Sequence, residues 1–125
     1  MIYSNSLIYI EIHESEIPWL KIFTHEPRKE FSECSRDERM MIFDLLDLIE
    51  KEMIAYFKPE KINIASFGNM LPRVHWHIMG RFINDSYFPE PMWGVKQRIG
   101  DVKVAPMEPF IEKLKAVLTS RLASS

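Results

Sequence analysis

The segment that decides the fold spans residues 73–81 and reads Arg-Val-His-Trp-His-Ile-Met-Gly-Arg. Successive side chains of a β-strand point to opposite faces of the sheet, so a strand here separates two sets of residues. The apolar set, which suits a hydrophobic core, is Val74, Trp76, Ile78 and Phe82. The other set is Arg73, His75, His77, Met79 and Arg81. Its two imidazoles would lie about 7 Å apart, with a guanidinium on either side.

This combination of side chains favours phosphate chemistry. A neutral imidazole is a nucleophile or a base near neutral pH, and arginine is the usual clamp for a phosphate group. An isolated His-x-His pair also occurs as a pair of metal ligands or as surface residues without a function. The apolar residues behind the histidines and the basic residues beside them favour the phosphate site.

The same segment resembles the signature of the histidine triad family of nucleotide hydrolases and transferases, H-φ-H-φ-H-φ-φ, where φ is apolar. In this alignment His77 matches the third histidine, His75 the central, nucleophilic histidine, and Arg73 replaces the first. The flanking segments that extend the resemblance are Ile17-Pro18-Trp19-Leu20, Ile62-Asn63-Ile64-Ala65, Gly68-Asn69-Met70 and Pro89-Glu90-Pro91-Met92-Trp93-Gly94. They resemble a bacterial branch described as diadenosine-tetraphosphate-hydrolase-like.

The resemblance implies a reaction at the α-phosphate of a nucleotide. His75 would attack the phosphorus and form a nucleotidyl-histidine that water then resolves, which divides one difficult step into two. His77 would hydrogen-bond the phosphate, and the backbone carbonyl of Arg73 would orient His75. The implied substrates are dinucleoside polyphosphates, nucleoside phosphoramidates or acyl-nucleotides. The implied enzyme is a nucleotide hydrolase or nucleotidyl transferase that needs neither a metal nor a cofactor.

Five further residues are implied in substrate binding. In this family an acidic residue between the first two strands binds the ribose hydroxyls, and Glu14 matches it here, although a solvated turn carboxylate is the alternative. Asn63 and Asn69 are expected to contact the phosphates or the ribose, but an asparagine beside a glycine also suits a turn. Arg73 and Arg81 would help to neutralise a polyphosphate, unless Arg81 only caps the strand.

The remaining strands are predicted from β-branched and aromatic residues. Residues 6–13 and 19–24 predict an antiparallel hairpin, with His13 and His25 as exposed residues to which we assign no chemistry. Residues 61–67 predict a third strand, which pairs antiparallel with the histidine strand across the turn at Gly68-Asn69. Trp93 belongs to a proline-rich loop that we expect near the site or near a dimer interface.

Two helices are predicted. Ser35 and Glu38 form the pattern of a capping box, and Pro59 ends the helix that follows. The apolar face of this helix is Ile42, Leu45, Leu46, Ile49, Met53 and Phe57. A C-terminal helix begins between Pro106 and Pro109. Its apolar stripe is Ile111, Leu114, Val117, Leu118 and Leu122.

These elements predict one α+β domain over residues 1–125. We expect the histidine triad fold, a twisted and mainly antiparallel sheet with one long helix and a C-terminal helix. The resemblance implies a homodimer, and the apolar stripe of the C-terminal helix would be costly to expose in a monomer.

Bulk properties narrow the function classes. The formal net charge of -2 leaves no broad basic surface for a nucleic acid polymer, so phosphate recognition must be local. Cys34 is the only cysteine, so an internal disulfide and a C-x-x-C metal site are excluded. No apolar run approaches the ~20 residues of a membrane span, and the N-terminus lacks the charged region of a signal peptide. We therefore expect a cytoplasmic protein.

Two other functions remain open from the sequence. One is a nucleotide-binding or sensing protein with little turnover, in which Arg73 reflects the loss of a catalytic histidine. The other is a metal site made of His75, His77 and a carboxylate such as Asp85 or Glu90. Release of labelled nucleotide tests the first, and the effect of a chelator tests the second.

Overall fold

The computed structural model describes residues 1–122 and contains one β-sheet. Its five antiparallel strands lie in the order β1-β2-β3-β5-β4. They are β1 (Tyr3–Ser4), β2 (Ile8–Ile12), β3 (Trp19–Thr24), β4 (Lys61–Ala65) and β5 (His75–Arg81). The helices are α1 (Arg36–Phe57) and α2 (Met107–Arg121), and a short 3₁₀ turn at Phe31–Glu33 precedes α1. The predicted α+β fold class is confirmed.

The histidine strand β5 lies inside the sheet, between β3 and β4. Its antiparallel pairing with β4 agrees with the prediction, whereas its pairing with β3 was not predicted. The strand begins at His75 rather than Arg73. This is because the N–H groups of Arg73 and Val74 donate to the carbonyls of Leu71 and Arg28 instead of to a neighbouring strand.

The hydrophobic core fills the space between one face of the sheet and the two helices. All six apolar residues predicted for the buried face of α1 are buried. Ile78 of β5 belongs to the same core, as do Leu114 and Leu118 of α2. Burying each of these side chains contributes about 1.5–3 kcal/mol. The stripe of α2 was expected to need a dimer partner, and this argument was wrong because Leu114 and Leu118 are fully buried within the chain.

Hydrogen bonds and an ion pair connect the N-terminus of α1 to the start of β5. As predicted, Ser35 Oγ accepts a hydrogen bond from the Glu38 N–H, and the Glu38 carboxylate accepts one from the Ser35 N–H. The same carboxylate, 3% exposed, pairs with Arg28 Nε at 3.1 Å. The carbonyl of Arg28 in turn accepts from the Val74 N–H at 2.7 Å. The helix cap therefore fixes the backbone immediately before the two histidines.

A buried ion pair fixes the chain just after β5. Arg81 donates from Nε and Nη2 to the two carboxylate oxygens of Asp85, at 2.9 and 3.0 Å. Both side chains are almost fully buried, with 1% and 0% exposed. Burial raises the pKa of Asp85, but hydrogen bonds from Arg81 and from the backbone N–H groups of residues 82, 87 and 88 outweigh it, so the pKa lies below its ordinary value. The pair anchors the irregular segment 82–105, which runs back over the sheet.

Within residues 1–122, no helix combines the length and the apolarity that crossing a bilayer requires.

Candidate active site on the histidine strand

A cavity of about 560 Å³ lies over the sheet face that carries His75 and His77. Its walls come from the two histidines, from residues 67–71 before β5, from Trp93, and from the β2–β3 hairpin. The opposite face of β5 packs Ile78 into the core. The alternation predicted for this strand therefore separates the cavity from the core.

The floor of the cavity is formed by aromatic side chains that the strand pairing places side by side. On β3, Phe23 lies opposite His75, and Tyr9 of β2 lies opposite Phe23. The Tyr9 and Phe23 rings stack at 5.0 Å between centroids, and the Phe23 and His75 rings stack at 5.2 Å with planes 15° apart. This stacked row fixes the plane of the His75 imidazole.

The hydrogen bond of His75 determines its tautomer. Nδ1 lies 2.9 Å from the carbonyl oxygen of Arg73, and because a carbonyl only accepts, Nδ1 carries the proton. In the neutral ring, Nε2 is then the unprotonated nitrogen with a free lone pair. The orienting contact implied by the resemblance is thus present, although residue 73 is an arginine.

His77 has the opposite tautomer. The indole N–H of Trp19 donates to His77 Nδ1 at 3.0 Å, and because an indole only donates, the proton of the neutral ring is on Nε2. Burial, followed by the nearby side chains of His75, His13 and Lys21, lowers the pKa of His77 from 6.5 to about 4. His77 is therefore a neutral hydrogen-bond donor near pH 7. The ring centroids of His75 and His77 are 5.0 Å apart. Together the two residues present the lone pair of one Nε2 and the N–H of the other.

The low pKa of His77 predicts how stability depends on pH. At pH values below 6.5, the ordinary pKa of histidine, His77 binds a proton in the unfolded chain but not in the folded chain. The free energy of unfolding therefore falls as pH falls from 6.5 to about 4. The full loss from this group is about 3 kcal/mol. Urea unfolding of the wild type and of His77→Asn at pH 7, 5.5 and 4.5 measures it. We expect a shallower pH dependence in the variant, whose amide oxygen can still accept from Trp19; equal dependence in both proteins contradicts the assignment.

Trp93 forms part of the cavity wall. Its ring centroid lies 4.9 Å from that of His77, 5.3 Å from that of Trp19 and 4.7 Å from that of Phe67. The tryptophan expected near the site or near a dimer interface thus contacts His77. Phe23, Phe67 and Trp93 together give the cavity aromatic surfaces on which a planar ring can stack.

Two polar residues of this cavity, His13 and Lys21, were not predicted as site residues. His13 was expected to be exposed, whereas it is half-buried and lines the cavity. The His13 ring lies 4.0 Å from that of Trp19, and Lys21 lies opposite His77 across β3 and β5. Alternation along the predicted hairpin could have placed both on one face with Phe23. The missing information was that this hairpin pairs with the histidine strand.

Of the five residues predicted to bind substrate, only Asn69 lines the cavity that contains the histidines. Glu14 is exposed and lies outside it, next to His13. The guanidinium of Arg73 donates to the Thr24 carbonyl, and Arg73 lines a neighbouring cavity. The amide oxygen of Asn63 accepts from Arg81 at 3.0 Å. Arg81 itself is buried against Asp85, so we assign it a structural role in place of the phosphate contact.

The metal alternative gains no support from the donor geometry. Within residues 1–122, no three side chains of the types His, Cys, Asp and Glu are grouped so as to hold a metal ion. Asp85, one of the two carboxylates considered, accepts five hydrogen bonds, two from Arg81 and three from backbone N–H groups. Its oxygens are therefore already occupied.

Several solved histidine triad proteins share this fold. A histidine triad protein of Bradyrhizobium japonicum is 25% identical, with a TM-score of 0.76 over 92% of this chain and 87% of that chain. One from Sinorhizobium meliloti is 24% identical, with a TM-score of 0.72 over 90% and 84%. A third, named a hypothetical histidine triad nucleotide-binding protein, from Sulfolobus tokodaii, is 13% identical, with a TM-score of 0.54 over 98% and 83%.

No protein-family model matches the sequence, and neither does any curated protein. The structural neighbours show that the chain has the fold of histidine triad proteins.

Proposed function

We propose that this chain is a cytoplasmic nucleotide hydrolase or nucleotidyl transferase of the histidine triad family, from the diadenosine-tetraphosphate-hydrolase-like branch. It acts at the α-phosphate of dinucleoside polyphosphates, nucleoside phosphoramidates or acyl-nucleotides. The observation that carries the proposal is the pair of complementary tautomers on β5. His75 offers an unprotonated Nε2, and His77 offers a neutral Nε2–H within the same cavity.

The reaction follows from these two nitrogens. His75 Nε2 attacks the α-phosphorus, and the bond to the leaving group breaks as the P–N bond forms. His77 donates to a non-bridging phosphate oxygen, where negative charge is held in the transition state. Water then attacks the nucleotidyl-histidine and releases a mononucleotide. The Arg73 carbonyl holds His75 in the reactive tautomer throughout, which requires only a backbone group at position 73.

The nucleoside would occupy the apolar part of the cavity. Phe23 and Trp93 supply surfaces for the base, Asn69 is available to a phosphate or the ribose, and Glu14 is kept as the ribose ligand of the β2–β3 turn. These assignments extend the family resemblance to the residues that surround the two histidines.

We also propose a homodimer. Strand β4 is at one edge of the sheet, and apolar side chains beside this edge are exposed, with Ile64 42% and Phe67 55% accessible. An exposed edge strand pairs readily with another strand, and pairing β4 with its copy would continue the sheet across two subunits.

A nucleotide-binding protein with little turnover is the second candidate. The observation that favours it is Arg73 at the position of the first histidine, because no imidazole is available there to protonate a leaving group. The aromatic cavity serves binding and catalysis equally well.

A panel of labelled substrates distinguishes the two functions. Purified protein is incubated with a dinucleoside polyphosphate, a nucleoside phosphoramidate and an acyl-adenylate, and both mononucleotide release and acid-labile labelling of the protein are measured. We expect release and labelling with at least one substrate class, unchanged by a chelator. Nucleotide binding without labelling or release would favour the second candidate, and release abolished by the chelator would contradict the metal-free mechanism.

A further inference from the structure

Lys21 is the only charged residue that lines the histidine cavity, as far as residues 1–122 show. It lies opposite His77 across β3 and β5, and directly opposed residues of an antiparallel pair have Cβ atoms about 4.5–5.5 Å apart. No carboxylate lines the same cavity. A phosphate that contacts His77 therefore comes within reach of the Lys21 ammonium group.

The charge of Lys21 is not compensated by an ion pair. Glu11 lies opposite Lys21 across β2 and β3, but the ion pairs within residues 1–122 do not include either residue. The ammonium nitrogen lies 5.6 Å from the centroid of the Phe23 ring, the ring that stacks on His75. A cation held over an aromatic face beside the nucleophile is available to an anionic ligand.

The two arginines of the histidine segment do not provide this charge to the cavity. Arg81 is occupied by Asp85, and Arg73 donates to the Thr24 carbonyl and lines a different cavity. The histidine pair is also poorly suited to donate a proton to a leaving group, because His77 is neutral and His75 uses its N–H on the Arg73 carbonyl.

Lys21 and the two histidines favour the departure of some leaving groups over others. An amine must take up a proton to depart, whereas a polyphosphate or a carboxylate departs as an anion and benefits from a nearby positive charge. The cavity supplies a fixed cation opposite His77 but no histidine at the first position of the signature. Its chemistry therefore fits an anionic leaving group.

We propose that Lys21 makes this site selective for nucleotides whose leaving group departs as an anion, foremost a polyphosphate, over nucleotides whose leaving group is an amine. The inference rests on the proposed function. The His75 Nε2–P bond forms while the P–O bond to the leaving group breaks, and its electron pair stays on the departing oxygen beside Lys21. Water then forms the new P–O bond, the P–N electron pair returns to Nε2, and the water proton passes to solvent.

The test compares two substrates across three variants. For the wild type, Lys21→Met, Lys21→Arg and the control Lys115→Met on the exposed side of α2, kcat/KM is measured with a dinucleoside tetraphosphate and with a nucleoside phosphoramidate of a simple alkylamine. The wild type should prefer the tetraphosphate. Lys21→Met should lose on the order of 10- to 100-fold on the tetraphosphate, the value of one hydrogen bond to a charged group. It should lose less than about threefold on the phosphoramidate, and Lys21→Arg should retain most of both activities.

Equal losses on the two substrates, or a wild type that prefers the phosphoramidate, would overturn the inference. If the wild type hydrolyses neither of these substrates nor an acyl-adenylate, the proposed function fails, and calorimetry then tests Lys21 by itself. In that case Lys21→Met should weaken binding of a non-hydrolysable nucleoside triphosphate at least tenfold more than binding of the monophosphate. Equal weakening would reject the role of Lys21, and an unchanged Tm in Lys21→Met and Lys115→Met shows that folding is not the cause.

Discussion

Replacing His75 with asparagine is expected to reduce nucleotide turnover to background. Asparagine keeps a polar group near the position of Nδ1, so it can still donate to the Arg73 carbonyl, but it cannot attack phosphorus. Loss of a covalent route costs several powers of ten in rate. Because His75 stands on the cavity face of β5, the substitution opens no space in the core behind Ile78. Fold and nucleotide affinity should therefore remain close to those of the wild type.

Single-turnover hydrolysis and acid-labile labelling measure this effect, with His77→Asn as the matched control. The control removes a donor to the phosphate and not the nucleophile, so it should cost about 2–4 kcal/mol of transition-state stabilisation and still allow labelling. If His75→Asn keeps most of the wild-type activity, the nucleophile assignment is wrong. Loss of labelling in His77→Asn alone would exchange the roles of the two histidines.

Replacing Asp85 with asparagine is expected to destabilise the protein by about 3–5 kcal/mol, the usual result of leaving one partner of a buried ion pair alone. Arg81 would keep its charge with 1% of its surface exposed and with the neutral amide of Asn63 as its other partner. Three backbone N–H groups would also lose a charged acceptor. Against a total stability of about 5–15 kcal/mol, this loss is large.

Chemical denaturation measures the loss, and a second ion pair of the chain provides the control. Lys51 and Asp47 are also four residues apart, at 2.8 Å, but both side chains are more than half exposed. Asp47→Asn should therefore cost less than about 1 kcal/mol. Similar small losses in both variants would show that the Arg81–Asp85 pair contributes no more to the free energy of unfolding than the exposed pair does.

The parts of the fold that depend on local sequence were predictable. The capping box of Ser35, the buried face of α1 and the bounds of β3 follow from helix capping and from periodicity. The pairing of β3 with β5 was not predictable in this way, because it joins segments more than fifty residues apart and no turn connects them. The two-residue strand β1 is too short to leave a periodic pattern.

The candidate site likewise has a part that local sequence predicts and a part that depends on distant strand pairing. His75, His77 and the contact to the Arg73 carbonyl lie within one segment, so the resemblance was enough to anticipate them. Lys21 and His13 enter the cavity only through the β3–β5 pairing, which brings a distant hairpin beside the histidines. Alternation placed Arg81 on the histidine face but gave no sign that Asp85, four residues later, folds back to bind it.

The separation of the two faces of β5 also affects how such a protein can change over generations. A substitution at position 73 changes the side chain beside the Thr24 carbonyl without reaching Ile78, which lies in the core on the opposite face of the sheet. The orienting contact to His75 is made by a backbone carbonyl, which every amino acid supplies. Position 73 can therefore carry either a histidine or an arginine while the contact that orients His75 is kept.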